Sequence, residues 1–218
     1  MRDSDIQSAI DHWAPRFTTQ GVDPNDFLRI TSKLENWSEW LDAWVANGDM
    51  HAALAIEAEN AGHAISAGNA WNRAALSYHF AKFVWVLDME KHKRATEASI
   101  AALLRAHKNL DPSAQRIEIP FENRHLVGNL RKPRDVSNPP VVILLPGLDS
   151  TKEEFFNWEN VFLTRGMATF SLDGPGQGES GFYFPLRADY ESAIKVAIDC
   201  LLEIEGVDAT RLGVAGVS

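Results

Sequence analysis

The sequence predicts an α/β protein in which an all-helical N-terminal domain precedes a parallel sheet with helices on both faces. Two textures carry this reading. The first half repeats Ala-rich runs with apolar residues three and four apart, while the second alternates strand-like and helix-like segments. The change falls in one place, which sets domains of 1–113 and 114–218.

In the helical half, Leu54, Ala58, Ala61 and Ile65 form one apolar face, and Leu76, Phe80, Phe83 and Leu87 form another. Gly48-Asp49 and Gly68-Asn69 read as helix stops followed by caps, giving helices over 49–67 and 70–87 that resemble one tetratricopeptide-like hairpin. Too few such hairpins are present for a solenoid. Asp111-Pro112 ends the last long helix. Six of the seven Trp fall in this half: Trp13, Trp37, Trp40, Trp44, Trp71 and Trp85. They line an apolar ligand chamber or fill gaps between helices, and the sequence leaves both open.

From residue 115 onward, Gln115–Pro120 and Arg124–Leu130 read as two alternating strands joined by a tight turn. Val141-Val-Ile-Leu-Leu145 is a continuous aliphatic run closed by Pro146-Gly147, the pattern of a strand buried on both faces. A helix over 152–165, a strand over 167–172, a Gly-rich turn, a helix over 187–205 and a strand over 211–217 follow. Strand and helix alternate, which implies right-handed crossovers.

Composition narrows the partners. A formal net charge of −9 excludes the basic surface that nucleic acid requires. No stretch approaches the roughly 20 apolar residues of a membrane span, and the charged start lacks the apolar core of a secretory signal, so the expected location is cytoplasmic. The single Cys200, within Ala197-Ile-Asp-Cys-Leu-Leu, reads as a small buried hydrophobe. Lys91-His-Lys-Arg94 reads as a solvated helix face.

Ligands of an open parallel sheet bind at the carboxyl ends of its strands, so the chemistry belongs to the loops after 145, 172 and 217. The last of these closes on Gly216-Val-Ser218, the first half of a nucleophile elbow, where small residues allow a sharp turn that lifts a Ser Oγ into a site. Leu145-Pro-Gly-Leu-Asp-Ser-Thr-Lys152 is the candidate oxyanion loop, with Gly147 shaping the turn and the backbone N–H of Leu148 as donor. Its other reading is an ordinary turn with Ser150 or Thr151 capping the next helix. Asp173-Gly-Pro-Gly-Gln-Gly-Glu179 carries three glycines, but Phe182–Pro185 separate them from the following helix, which rejects a dinucleotide cradle. Asp173 reads as structural, tying the glycine turn.

The stretches Pro146–Glu154, Arg165–Glu179 and Gly213–Ser218 resemble the α/β-hydrolase fold. They resemble most the group of 2,6-dihydroxypseudooxynicotine hydrolase and the fungal polyketide-shortening hydrolases, and Ala74–Trp85 is similar to a helix of that group's N-terminal domain. The resemblance implies that 1–113 is a helical cap whose aromatic residues exclude water. It also implies that 114–218 is the first part of a hydrolase domain continuing beyond this chain, the remainder being a required partner.

The activity it implies is that of a Ser-His-Asp hydrolase, in several members cleaving a carbon–carbon bond beside a ketone, with Ser218 as nucleophile and the acid and His downstream. No cofactor or metal is implied. A small-molecule carbonyl compound is the substrate class, and a homodimer follows by analogy. The seven His, among them His12, His51, His63, His92, His107 and His125, have no metal-clamp spacing. Tyr78, His79, Phe83 and Trp158 are the candidate substrate contacts, His79 having helix packing as its other reading. A carboxylesterase or peptidase of the same fold, or a non-catalytic helical scaffold, are the alternatives. A sheet ending at a bare parallel strand is expected to be poorly stable alone.

Overall fold

The computed structural model describes residues 3–217. The chain divides into two compact units, Met1–Pro112 and Ser113–Ser218. The first holds α1 (Ser4–Gln20), α2 (Pro24–Thr31), α3 (Trp40–Asn60), α4 (Ala64–Lys82) and α5 (Met89–Leu110). Asp23 caps α2 by accepting from the Asn25 N–H, with Pro24 opening the helix, and Asp88 caps α5 by accepting from the Glu90 and Lys91 N–H groups.

Neither Gly48 nor Gly68 stops a helix, contrary to the expectation from sequence. Both lie inside, α3 running through Gly48 and α4 through Gly68. A Cβ on Gly48 would sit 2.5 Å from the Tyr78 ring, and one on Gly68 would sit 2.5 Å from Leu110. The glycines therefore let α3, α4 and α5 approach closely, and the helices span 40–60 and 64–82 rather than 49–67 and 70–87. The expected apolar face fails for the same reason: with the register set by those contacts, Leu54 is 50% exposed and Ile65 72% exposed. Of the other face, Leu76, Phe80 and Phe83 are buried, while Leu87 lies past the helix end and is exposed.

The tryptophans make the core. Phe17 stacks on Phe80 at 3.7 Å and meets Trp40 and Trp44 edge-on, and Trp13 meets Phe83 edge-on at 4.9 Å. Buried indoles usually find a partner for their N–H, and here three do while Trp44 Nε1 has none among the described residues. Trp40 donates to the Phe80 carbonyl, Trp85 to the Trp37 carbonyl and Trp71 to Glu59.

The second unit holds β1 (Gln115–Phe121), β2 (Arg124–Arg131), β3 (Pro140–Leu145), α6 (Phe156–Leu163), β4 (Ala168–Asp173), α7 (Glu191–Leu202) and β5 (Asp208–Gly216). The sheet order is β1-β2-β4-β3-β5. It is mixed rather than parallel throughout: β1 pairs antiparallel with β2 and β2 antiparallel with β4, whereas β3 runs parallel to both β4 and β5. The tight turn between β1 and β2 makes that pair antiparallel, so a sheet that includes both strands cannot be parallel throughout. The expected helix over 152–165 is split into a 3₁₀ turn at Lys152–Glu154 followed by α6, and the helix over 187–205 shortens to α7.

Strand β3 is buried on both faces as its composition requires. Val141 and Ile143 join the core that includes Phe170, Ala193, Ala197 and Leu201, so α7 covers that face. Val142 and Leu144 pack with Phe155, Trp158 and Phe162, so α6 covers the other. Arg131 reaches α6 from β2, bonding to Glu159 at 2.8 Å and to the Phe156 carbonyl at 3.1 Å. Cys200, on α7, is half-buried against the sheet core rather than fully buried, and burial pushes its thiol up.

Candidate active site

The parallel pairing of β3 with β5 sets Leu145 opposite Gly216, and the Val217 N–H donates to the Leu145 carbonyl at 3.2 Å. The turn that begins at Pro146 and the backbone leaving β5 therefore emerge side by side at the carboxyl end of the sheet. Asp173 ends β4 at that same end, since Leu144 pairs in parallel with Ser171. Ser218 itself lies outside the described residues. Upstream, the β3–β5 register is irregular: Pro140 faces Asp208 but Val141 faces Leu212, leaving a bulge over 209–211.

The Gly147 turn is closed by the Ser150 N–H donating to the Gly147 carbonyl at 3.2 Å, and Leu148 stands 76% exposed at its tip. Ser150 and Thr151 do not cap the following turn through their side chains. The Ser150 hydroxyl bonds Glu154, and Thr151 Oγ1 bonds Glu153 at 2.7 Å. A second loop braces the first. Gln177 Nε2 donates to the carbonyls of Pro146 at 2.7 Å and Gly147 at 2.9 Å, while its Oε1 accepts from the Gly174 N–H at 3.1 Å and the Tyr190 hydroxyl at 2.5 Å. Burial lifts the Tyr190 phenol above its ordinary range, with the Asp173 charge adding to this, so the hydroxyl stays a donor.

Beneath these loops the Lys152 ammonium is buried among three carboxylates. Its Nζ lies 2.8 Å from Asp173, 2.7 Å from Glu153 and 2.7 Å from Glu179, and its backbone N–H donates to Asp173 at 2.8 Å. Arg116 meets Glu179 from β1 at 2.5 Å. Desolvation alone would lower the Lys152 pKa, but the charges of Asp173, Glu153 and Glu179 hold it protonated, above its ordinary value. Burial pushes the Asp173 carboxyl up, against the pull of Lys152 and with the Glu153 charge adding to the rise. Asp173 does tie its loop, as expected, though mainly to Lys152. Its carbonyl accepts from the Ser180 hydroxyl at 2.9 Å, and Gly178 passes so near its carboxylate that a Cβ there would lie 1.9 Å from Oδ2. One oxygen each from Glu153, Asp173 and Glu179 fall within 4.8 Å of one another, a spacing that would fit a cation. Lys152 contacts all three, so a side chain meets that charge.

The remaining candidates are placed within the cores of their own units. His79 is fully buried beside Phe80, with ring centroids 4.8 Å apart, and Phe83 is buried in the same cluster. The Tyr78 hydroxyl donates to Asp49 at 2.7 Å, and Trp158 is half-buried on α6 between Phe155 and Phe162. His51 pairs with Asp26 at 2.6 Å, and His92 faces the Trp85 carbonyl at 2.9 Å, half-buried rather than on a solvated face. The sequence reading missed Gln177 and Lys152. The one available signal was that both lie in the loops after β3 and β4.

A mixed sheet of this order, with a helical segment before it, a glycine turn after β3 and small residues closing β5, defines an α/β hydrolase. The chain belongs to the esterase FrsA-like family, whose model matches residues 16–218. It is 35% identical over 203 residues to 2,6-dihydropseudooxynicotine hydrolase of Paenarthrobacter nicotinovorans, covering 93% of this chain and 54% of that protein. It is 30% identical over 216 residues to 20-hydroxy-prefusarin hydrolase of Gibberella moniliformis, covering 91% and 51%. The crystal structure of the 2,6-dihydroxy-pseudo-oxynicotine hydrolase superposes with a TM-score of 0.82 at 32% identity, covering 94% of this chain and 57% of that one. The chain spans about half the length of the relatives it matches. No helix among the described residues is long and apolar enough to cross a membrane.

Proposed function

We propose that this chain is the nucleophile-bearing part of a serine hydrolase that cleaves a carbonyl substrate, with Ser218 as nucleophile and the Leu148 N–H, on the Gly147 turn, as an oxyanion donor. The observation that supports it best is the β3–β5 register. Leu145 faces Gly216, and the Val217 N–H bonds the Leu145 carbonyl, so the backbone leaving β5 at Val217 runs beside the start of the turn that carries the Leu148 amide. That adjacency is what acyl transfer requires: an attacking oxygen and a donor to the developing oxyanion, both near one carbonyl carbon.

In this reading a His, placed downstream by the resemblance, takes the proton of the Ser218 hydroxyl as Oγ bonds to the carbonyl carbon. Collapse of the tetrahedral adduct breaks the bond to the leaving group. From an ester the leaving group departs as an alkoxide that takes the proton from the His. From a β-diketone it departs as an enolate, which is protonated at carbon. Water then attacks the acyl-enzyme, giving a carboxylic acid and restoring the hydroxyl. In this reading the helical segment 1–113 serves as the cap; of the candidate substrate contacts, Tyr78, His79 and Phe83 belong to that segment, with His79 and Phe83 in its core, and Trp158 belongs to α6 of the sheet unit. The resemblance to the pseudooxynicotine hydrolase group favours a ketonic carbon–carbon bond, and the family's description as esterase-like favours an ester.

The full-length protein, treated with a fluorophosphonate, is expected to be labelled at Ser218. It should also hydrolyse either an aryl ester or a β-diketone, and Ser218→Ala should lose both activities while keeping its melting temperature. Well-folded protein that takes no label and turns over neither compound would establish the scaffold alternative instead.

A further inference from the structure

We infer that Gln177 is a positioning residue that aims the oxyanion donor: it fixes the peptide planes of the Pro146–Leu148 turn so that their N–H groups face outward. The inference rests on the hydrolase reading and deepens it. Its basis is the geometry of one amide, 3% exposed, with four hydrogen bonds.

The orientation of that amide is unambiguous. Backbone carbonyls only accept, so the Gln177 atom facing Pro146 and Gly147 must be the NH₂. The Gly174 N–H only donates, so the atom facing it must be the oxygen. Both donors and both acceptor positions are then used. The amide is held from behind by Tyr190, whose ring lies against Gly174 so closely that a Cβ there would sit 2.2 Å from its hydroxyl.

The consequence passes through the peptide bond. In a trans peptide the C=O of one residue and the N–H of the next point in opposite directions. Because Gln177 draws the Gly147 carbonyl inward, the Leu148 N–H points away from the interior. Because it also draws in the Pro146 carbonyl, the Gly147 N–H does the same. Without those two bonds the Pro146 carbonyl loses this tie and the Gly147 carbonyl keeps only the bond from the Ser150 N–H, so the turn is freer to rotate and withdraw the donor, since glycine tolerates both orientations. An oxyanion donor contributes only when preorganised toward the developing charge.

The test uses the full-length protein, an aryl ester and an arylboronic acid, which forms a tetrahedral adduct with an active-site serine. Gln177→Met preserves length but removes both donors. It is expected to lower kcat about 10- to 100-fold, to leave KM within about twofold, and to weaken the boronic acid in parallel with kcat. Should Gln177→Met not fold, Tyr190→Phe keeps the amide but frees its oxygen, and kcat should fall severalfold with KM unchanged. A wild type that hydrolyses the ester alongside a Gln177→Met variant of unaltered kcat would overturn the positioning role alone. So would equal losses in kcat, KM and melting temperature with boronic acid affinity retained. A wild type without label or turnover would overturn both this inference and the hydrolase reading.

Discussion

Lys152 places a full positive charge where water does not reach, and Glu153, Asp173 and Glu179 close around it. Removing one partner of a buried ionic group leaves the others uncompensated, which costs about 3–5 kcal/mol. Lys152→Met is therefore expected to lower unfolding stability by that amount in urea titration. A variant matching the wild type would show that the carboxylates shed their charge at no cost. This cluster was hidden in the sequence. Asp149-Ser-Thr-Lys-Glu-Glu154 has the composition of a solvated turn, and its burial depends on Asp173, 21 residues later, arriving at the same strand end. Gln177 was hidden for a similar reason, as one polar residue in a glycine loop, three of whose four hydrogen bonds go to another loop and to the start of a helix. Gly147 stood out because a buried strand ran directly into it.

Among elements, the strands were legible and the helix limits were not. Val141–Leu145 declared itself because residues buried on both faces leave no polar position. In the helical segment, Gly48 and Gly68 carried the signature of a C-terminal stop, and only the neighbouring helix shows that each glycine marks a close crossing. Gly48→Ala is a direct check. Alanine gains about 1 kcal/mol of helix propensity, but its Cβ would overlap the Tyr78 ring, and overpacking costs about 1–3 kcal/mol. A net loss of stability, read from thermal unfolding, is expected; a gain would restore the reading of Gly48 as a poor helix residue with no packing role. The aromatic concentration was visible in the sequence, but its use was not, since a gap-filling Trp and a chamber-lining Trp are identical until their neighbours are known.

At the scale of the molecule, each unit has its own apolar core, one built on Phe17, Trp40 and Phe80 and the other on the two faces of the sheet. The change in texture at residue 114 reflects this, because helical and strand periodicities cannot share one segment. The antiparallel β1–β2 hairpin was seen as two strands, yet its place in the sheet was not, as no local pattern says which edge a hairpin joins. The irregular pairing over 209–211 has a consequence of its own. From Leu212 to Gly216 the ladder acts as a ruler that delivers Val217 to Leu145, while the three residues before it have no partner on β3, and the exposed Thr210 and Arg211 among them are where a change in length can be taken up. One alanine inserted after Thr210 should be tolerated, with fluorophosphonate capture retained. The same insertion after Gly213 would turn every later side chain to the opposite face and abolish capture in folded protein.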